Sequence, residues 1–165
     1  MPNESRNETP VKVIEFEPEY AGYFRDLNYE WLEEYFEIEP YDRIVLENPI
    51  NHVIKLGGCI FLALVDDNVA GTCALIKHTE KKYELAKMGV TKKFRNLGIG
   101  RKLVEVAIER SKQLGADKLI LATSELLEAA NHLYEKMGFE FCDLSEIGPL
   151  PYRRETVVMM MILSE

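Results

Sequence analysis

The stretch Tyr83–Lys102, YELAKMGVTKKFRNLGIGRK, decides how the rest of the chain is read. Through Val90 it is short and mostly apolar, the composition of a buried strand. It then breaks into a loop carrying Lys92, Lys93, Arg95, Arg101 and Lys102, with Gly98 and Gly100 placed where a helical pattern opens. A strand that feeds a glycine turn and then a helix start forms an anion site. The first N–H groups of the helix have no intrahelical acceptor, and the helix dipole adds partial positive charge. Glycine lets an oxygen-rich ligand approach the backbone without meeting a Cβ. A dinucleotide fingerprint would need a third glycine where Leu103 stands, and a P-loop would need Gly-Lys-Ser/Thr where the chain reads Gly100-Arg101-Lys102.

Length and composition bound the answer. A chain of 165 residues, 47% of them hydrophobic, has room for one ordinary domain with a substantial core. Residues 1–10, MPNESRNETP, are polar and read as a disordered tail ahead of a single domain spanning 11–165. No apolar run approaches the roughly 20 residues that cross a bilayer, and the N-terminus has no apolar signal core. The expectation is a cytoplasmic protein with no membrane partner. Cys59, Cys73 and Cys142 lie in apolar surroundings without Cys-x-x-Cys spacing, as buried free thiols of a reducing compartment do. A net charge of −8 argues against nucleic acid as a partner. Yet five of the 20 lysines and arginines fall within 92–102, and all 28 acidic residues lie outside it. A solvated charged loop is the commoner meaning of such a run. Its coincidence with the strand–glycine–helix geometry selects a small polyanion site instead.

In chain order, Lys12–Phe16 alternates weakly as a first strand. From Pro18 a helical stripe of Tyr20, Tyr23, Phe24, Leu27, Trp31, Leu32, Tyr35 and Phe36 reads as core, with a solvated acidic face opposite, and Pro40 closes it. A second helix spans Asp42–Glu47, another turn or two reaches Leu56, and Gly57-Gly58 stops it. Cys59–Val65, Val69–Ile76 and Tyr83–Val90 form a meander of three strands, with polar turns at 66–68 and 77–82. A helix follows from the glycine turn to Leu114, stopped by Gly115. Lys118–Ala122 is the next strand, so strand–helix–strand here is a parallel crossover. Ser124 reads as the N-cap of a helix that runs to Gly138. Phe139–Leu144 and Thr156–Leu163 close the chain as strands around a loop at 148–154. The result is an α/β chain, a mixed sheet with helices on both faces.

Arg95-Asn96-Leu97-Gly98-Ile99-Gly100, preceded by Met88-Gly89-Val90, resembles the acetyl-CoA signature Arg/Gln-x-x-Gly-x-Gly/Ala of the GNAT superfamily of N-acetyltransferases. Asn131-His132-Leu133-Tyr134-Glu135-Lys136-Met137-Gly138-Phe139 is similar, in slightly shortened form, to a second motif of that family. Lys92 departs from the proline that many members carry. The order of elements is also the one expected of the GNAT fold. The resemblance implies acetyl-CoA as co-substrate and a primary amine of a small molecule or peptide as acceptor. It implies a pyrophosphate cradle at Arg95–Arg101, chiefly the backbone N–H groups of Asn96, Gly98, Ile99 and Gly100, within the run that also holds Leu97. It further implies Met88 N–H as oxyanion donor, on a strand that bulges and splays there, Val90 pairing with the pantetheine amide, Asn131 touching the pantetheine arm, and Tyr134 as the acid that protonates the leaving thiolate.

The base is to be found among the chain's own carboxylates. Glu84 is the candidate, two strand periods before Met88 and on its side of the strand if no bulge intervenes. A carboxylate at a strand edge facing solvent would read the same way. His52, His78 and His132 have no partner at metal-ligand spacing, so no metal is expected. No Ser or Cys sits in a nucleophile elbow, so transfer is expected to be direct. A non-catalytic acyl-CoA-binding or sensing module, and an acetyltransferase of protein N-termini or lysines, stay open as alternatives. Homodimerisation is possible for proteins of this resemblance. Tyr152, Arg153 and Arg154 could hold an acceptor carboxylate or simply form a polar loop, the commoner case.

Overall fold

The computed structural model describes residues 10–163. The expected tail therefore lies, apart from Pro10, outside the described residues. Strands β1 (Val11–Glu15), β2 (Cys59–Val65), β3 (Asn68–Thr79), β4 (Lys82–Val90), β5 (Lys118–Thr123), β6 (Glu140–Cys142) and β7 (Val157–Ile162) make one sheet in the order β1-β2-β3-β4-β5-β7-β6. The β4–β5 pair is parallel and every other pair is antiparallel. This is the mixed α/β architecture read from the sequence.

The β2–β3 turn, Asp66-Asp67, has both residues at positive φ (48° and 65°), the geometry that matches strand twist in a two-residue hairpin. β3 and β4 run further than expected, meeting at Thr79↔Lys82 around a two-residue turn. Polar Lys77, His78 and Thr79 read as loop in sequence, but ladder bonds need no apolar side chains where the strands overhang the core.

Helices cover both faces. On one, α3 (Ile99–Gln113) and α4 (Glu128–Met137) bury Ile99, Leu103, Val104, Ala107 and Tyr134 against Cys73, Leu75, Leu85 and Leu119. On the other, α1 (Ala21–Tyr35) and α2 (Pro40–Glu47) bury Phe24, Leu32, Val45 and Leu46 against Ile60, Leu62 and Ala74. Gly89 permits this contact, because a Cβ there would stand 2.8 Å from Trp31 Cδ1 and 2.9 Å from the Leu27 carbonyl.

Three boundaries differ from the sequence reading. Pro40 begins α2 rather than ending α1. The chain leaves α1 at Phe36, and Pro40 occupies the first turn of α2, where its missing N–H is harmless. Glu39 and Asp42 close that end as a reciprocal capping box, with Glu39 N–H donating to Asp42 at 2.9 Å. The turns toward Leu56 are a wide, π-type coil at Ile50–Ile54. Ser124 does not cap α4, since its hydroxyl accepts from Leu126 N–H in a preceding turn and the helix begins at Glu128.

Candidate active site

The site grows from a defect between two strands. β4 and β5 pair only through Lys82–Glu84 and Lys118–Ile120. Beyond that point β5 continues along β7, and β4 has no neighbour on that side. A bulge widens the split. Pairing jumps from Ala74↔Ala86 to Thr72↔Gly89, so Lys87 and Met88 together oppose Cys73, and Lys87 takes φ 52°. Bulges re-aim side chains and release backbone groups from a ladder.

One cavity, about 480 Å³, opens from the split on the α3–α4 side. β4 contributes Leu85–Val90, β5 Ala122 and Thr123, α4 Leu133 and Tyr134, and the glycine turn Arg95, Asn96 and Gly98–Arg101. Asn96 and Gly98 have φ 65° and 75°, which bend the chain so that the helix start faces the cavity. The first backbone bond into α3 is Lys102 N–H to the Gly98 carbonyl at 3.1 Å. The N–H groups just before it are open to a ligand. A Cβ on Gly98 would meet nothing within 4 Å, so that volume is free for an oxygen-rich group. The cradle fits an acyl-CoA pyrophosphate. Leu97 is exposed and does not line this cavity.

The basic loop is held from behind by α1. Glu34 pairs with Lys92 at 3.5 Å and Arg95 at 3.4 Å, and Glu30 accepts from the Thr91 hydroxyl at 2.8 Å. The acidic face of α1, read as solvated, is thus partly a clamp on the basic loop. Of the aromatic stripe, Trp31 both packs on the core and lines the cavity, and Tyr35 lines the cavity.

Tyr134 is buried edge-on against Phe139, ring centroids 5.9 Å apart, and its ring lines the cavity. Burial pushes the phenol well above its usual range, so the hydroxyl stays protonated and can only give its proton to a strong acceptor. Asn131 is placed differently from the expectation. Its carboxamide accepts from the Thr123 hydroxyl (2.7 Å) and donates to the Ser124 carbonyl (2.9 Å), locking α4 to the end of β5. It lies behind the cavity wall, not in it.

A second cavity, about 280 Å³, opens on the α1–α2 side. The two share Trp31, Ala86, Lys87, Ala122, Thr123 and Leu127 as a common wall. Glu84 lines the second cavity only and is bonded to His78 Nε2 at 2.7 Å. The expectation that Glu84 and Met88 share a side is corrected. The bulge inserts one residue between them, so Met88 packs with the α3 core while Glu84 faces the other way.

In the wall of this cavity and just behind it lies a cluster that sequence reading missed. Asp42, fully buried, receives both ends of the Arg154 guanidinium at 2.9 and 2.7 Å. Lys87 Nζ donates to the Tyr152 hydroxyl at 2.7 Å. Burial alone would raise the Asp42 carboxyl, but the Arg154 bonds, the Glu39 N–H and Lys87 outweigh it and hold it below its usual range. Burial dominates at Lys87 and draws its ammonium below the ordinary lysine value, despite Asp42 and Glu84. Arg154 is therefore a structural partner of Asp42, and exposed Arg153 meets Glu39 only through its backbone N–H. The signal for Lys87 was visible as a cation in an apolar strand. Nothing in sequence joins Asp42 to Arg154, 112 residues away.

The fold is shared with acetyltransferases of known structure. A GNAT-family acetyltransferase from Staphylococcus aureus superposes with a TM-score of 0.85 at 24% identity, over 94% of this chain and 100% of that one. The Salmonella typhimurium yncA structure, which holds acetyl-CoA, gives 0.74 at 16% identity over 94% and 95%. In sequence, the chain is 31% identical over 105 residues to the N-acetyltransferase YvbK of Bacillus subtilis, covering 61% of this chain and 67% of YvbK. It is 35% identical over 100 residues to human N-acetylaspartate synthetase, covering 58% of this chain but 32% of that protein. The match thus spans about two thirds of YvbK and about a third of the synthetase. The sequence model of the acetyltransferase (GNAT) family matches residues 20–139, and the chain belongs to that family. Among the described residues no helix is long and apolar enough to cross a membrane, and no group of three or more His, Cys, Asp or Glu is placed to hold a metal.

Proposed function

We propose that this protein transfers the acetyl group of acetyl-CoA directly to a primary amine of a small molecule or peptide. The observation that carries the reading is the meeting of two unlike cavities at the β4 bulge. One ends in a cradle of open N–H groups, and the other presents a carboxylate–imidazole pair.

Acetyl-CoA, when bound, supplies an acetyl thioester activated toward attack. The residues that would hold it are Asn96 and Gly98–Arg101 at the pyrophosphate, with Arg95 adding charge, and Val90 along the arm. Each remaining step belongs to the chain. Met88 N–H, beside the bulge and off the β5 ladder, is the donor for the oxygen that gains charge during attack. The acceptor arrives from the second cavity as an ammonium and must lose a proton before it can attack. Glu84 takes that proton, directly or through water, with His78 orienting it. Tyr134, kept protonated by burial, gives its proton to the departing sulfur as the C–S bond breaks, and the second proton shed by the attacking nitrogen restores the phenol, directly or through water.

The test is thiol release from acetyl-CoA over a panel of amines, wild type against Glu84→Gln. We expect turnover with at least one amine, and a loss of about 10²-fold in kcat on substitution with acetyl-CoA affinity kept. Undiminished kcat would remove Glu84 from the mechanism. Acetyl-CoA binding without turnover of any amine would favour a sensing module.

A further inference from the structure

Resting on that reading, we propose that the acceptor is an amino acid with an apolar side chain, and that Lys87 Nζ is the counter-charge for its carboxylate. Lys87 is the charged side chain that belongs to both cavities. It is nine-tenths buried, with a side-chain exposure of 10%, at the place where acceptor and thioester must meet. Its ammonium has three donors, and the Tyr152 hydroxyl takes one at 2.7 Å. The nearest Asp42 oxygen pairs with it ionically at 3.6 Å, longer than a hydrogen bond, and both Asp42 oxygens accept from Arg154, so two of its N–H donors stay unused. A desolvated ammonium with donors to spare calls for an anionic oxygen, since an unmet charged donor is costly in a dry site.

No other cation competes for that role. Arg154 is bound to Asp42 and Glu39 and stacks 4.0 Å over the Tyr152 ring, and Arg153 is exposed. Glu84, on the same wall three residues earlier and bonded to His78, supplies negative charge for the ammonium end of the acceptor. Glu84 and Lys87, three residues apart on β4, therefore match the two charges of a zwitterion. Much of the remaining wall is apolar, with Phe36, Tyr41, Val45, Leu150 and Pro151 among its residues. A volume near 280 Å³ takes a molecule of amino-acid size and an uncharged hydrocarbon side chain.

The experiment compares L-leucine and L-phenylalanine with their amides and with isoamylamine and phenethylamine, measuring thiol release, alongside calorimetry of acetyl-CoA. In the wild type, kcat/KM for the acids should exceed that for the amides by about tenfold or more, the discrimination of one charge-assisted bond. Lys87→Met should raise KM for the acids by a similar factor, leave kcat and acetyl-CoA affinity close to wild type, and abolish the preference. Lys87→Arg should retain part of it. Amides turned over as well as acids by the wild type would overturn the proposal without any variant. So would bound acetyl-CoA with no turnover of either acid, which leaves the cofactor site standing. Failure of the wild type to bind acetyl-CoA would overturn the acetyl-transfer reading and this one together.

Discussion

Glu84 and Met88, four residues apart on one strand, face opposite sides of the sheet because the bulge at Lys87 adds a residue between them. Strand alternation alone would have put both on one side. The insertion divides the labour of the strand. Glu84 lines only the smaller cavity, Met88–Val90 only the larger one, and Lys87 lines both.

Removing the Tyr134 hydroxyl should separate chemistry from binding. Among the described residues no buried side-chain oxygen or nitrogen is left unpaired, and Tyr134 lines the cavity, so Tyr134→Phe strands no polar group. Stability should change by less than about 1 kcal/mol in urea titration. kcat should fall by about 10²-fold while the acetyl-CoA dissociation constant stays within about twofold. An unchanged kcat would leave Tyr134 as a core aromatic.

Asp42 should make stability depend on acid. Its carboxyl is held below its usual range in the folded chain, so the stabilisation is fully present above the ordinary aspartate value. It is lost as pH falls through the lower folded value, where the folded carboxylate takes up a proton. Asp42→Asn, which among the described residues leaves Lys87 with only the more distant Glu84 and Arg154 with Glu39, should cost about 3 kcal/mol at pH 7 by urea titration. The gap to wild type should shrink as pH is lowered toward 3. A gap independent of pH would contradict the charge argument.

Much of this was legible beforehand. The glycine turn, the meander and the parallel crossover each have a local signature, namely paired glycines at a helix start, short apolar runs between polar turns and a helical stripe, and the structure has all three. The bulge had none in the residues themselves, since Ala86-Lys87-Met88 reads as an ordinary strand; only the family resemblance implied it, and pairing with β3 places the extra residue. Asn131 was placed by motif, but the Thr123 hydroxyl, supplied by another element, decides where its carboxamide points. His78 was set aside for want of a partner in sequence, and a hairpin tip longer than expected brings it to Glu84.

The clamp on the basic loop should compete with the cofactor. Glu34 holds Lys92 and Arg95 while all three are partly exposed, so the pairs are weak and screened by salt. Glu34→Gln should tighten acetyl-CoA by about two- to threefold at low ionic strength, an advantage that fades by about 0.5 M salt. Weaker binding at low salt would mean that the clamp positions the loop rather than competing for its charge.

The most direct measurement is calorimetric titration of acetyl-CoA, with CoA and NAD as controls, into wild type and Gly98→Trp. Gly98 sits at φ 75° beside open space, so an indole there fills the cradle. Saturable binding of acetyl-CoA and CoA, none of NAD, and loss of both in a folded variant are what the account predicts. No acetyl-CoA binding by the wild type, or equal binding by the variant, would contradict it.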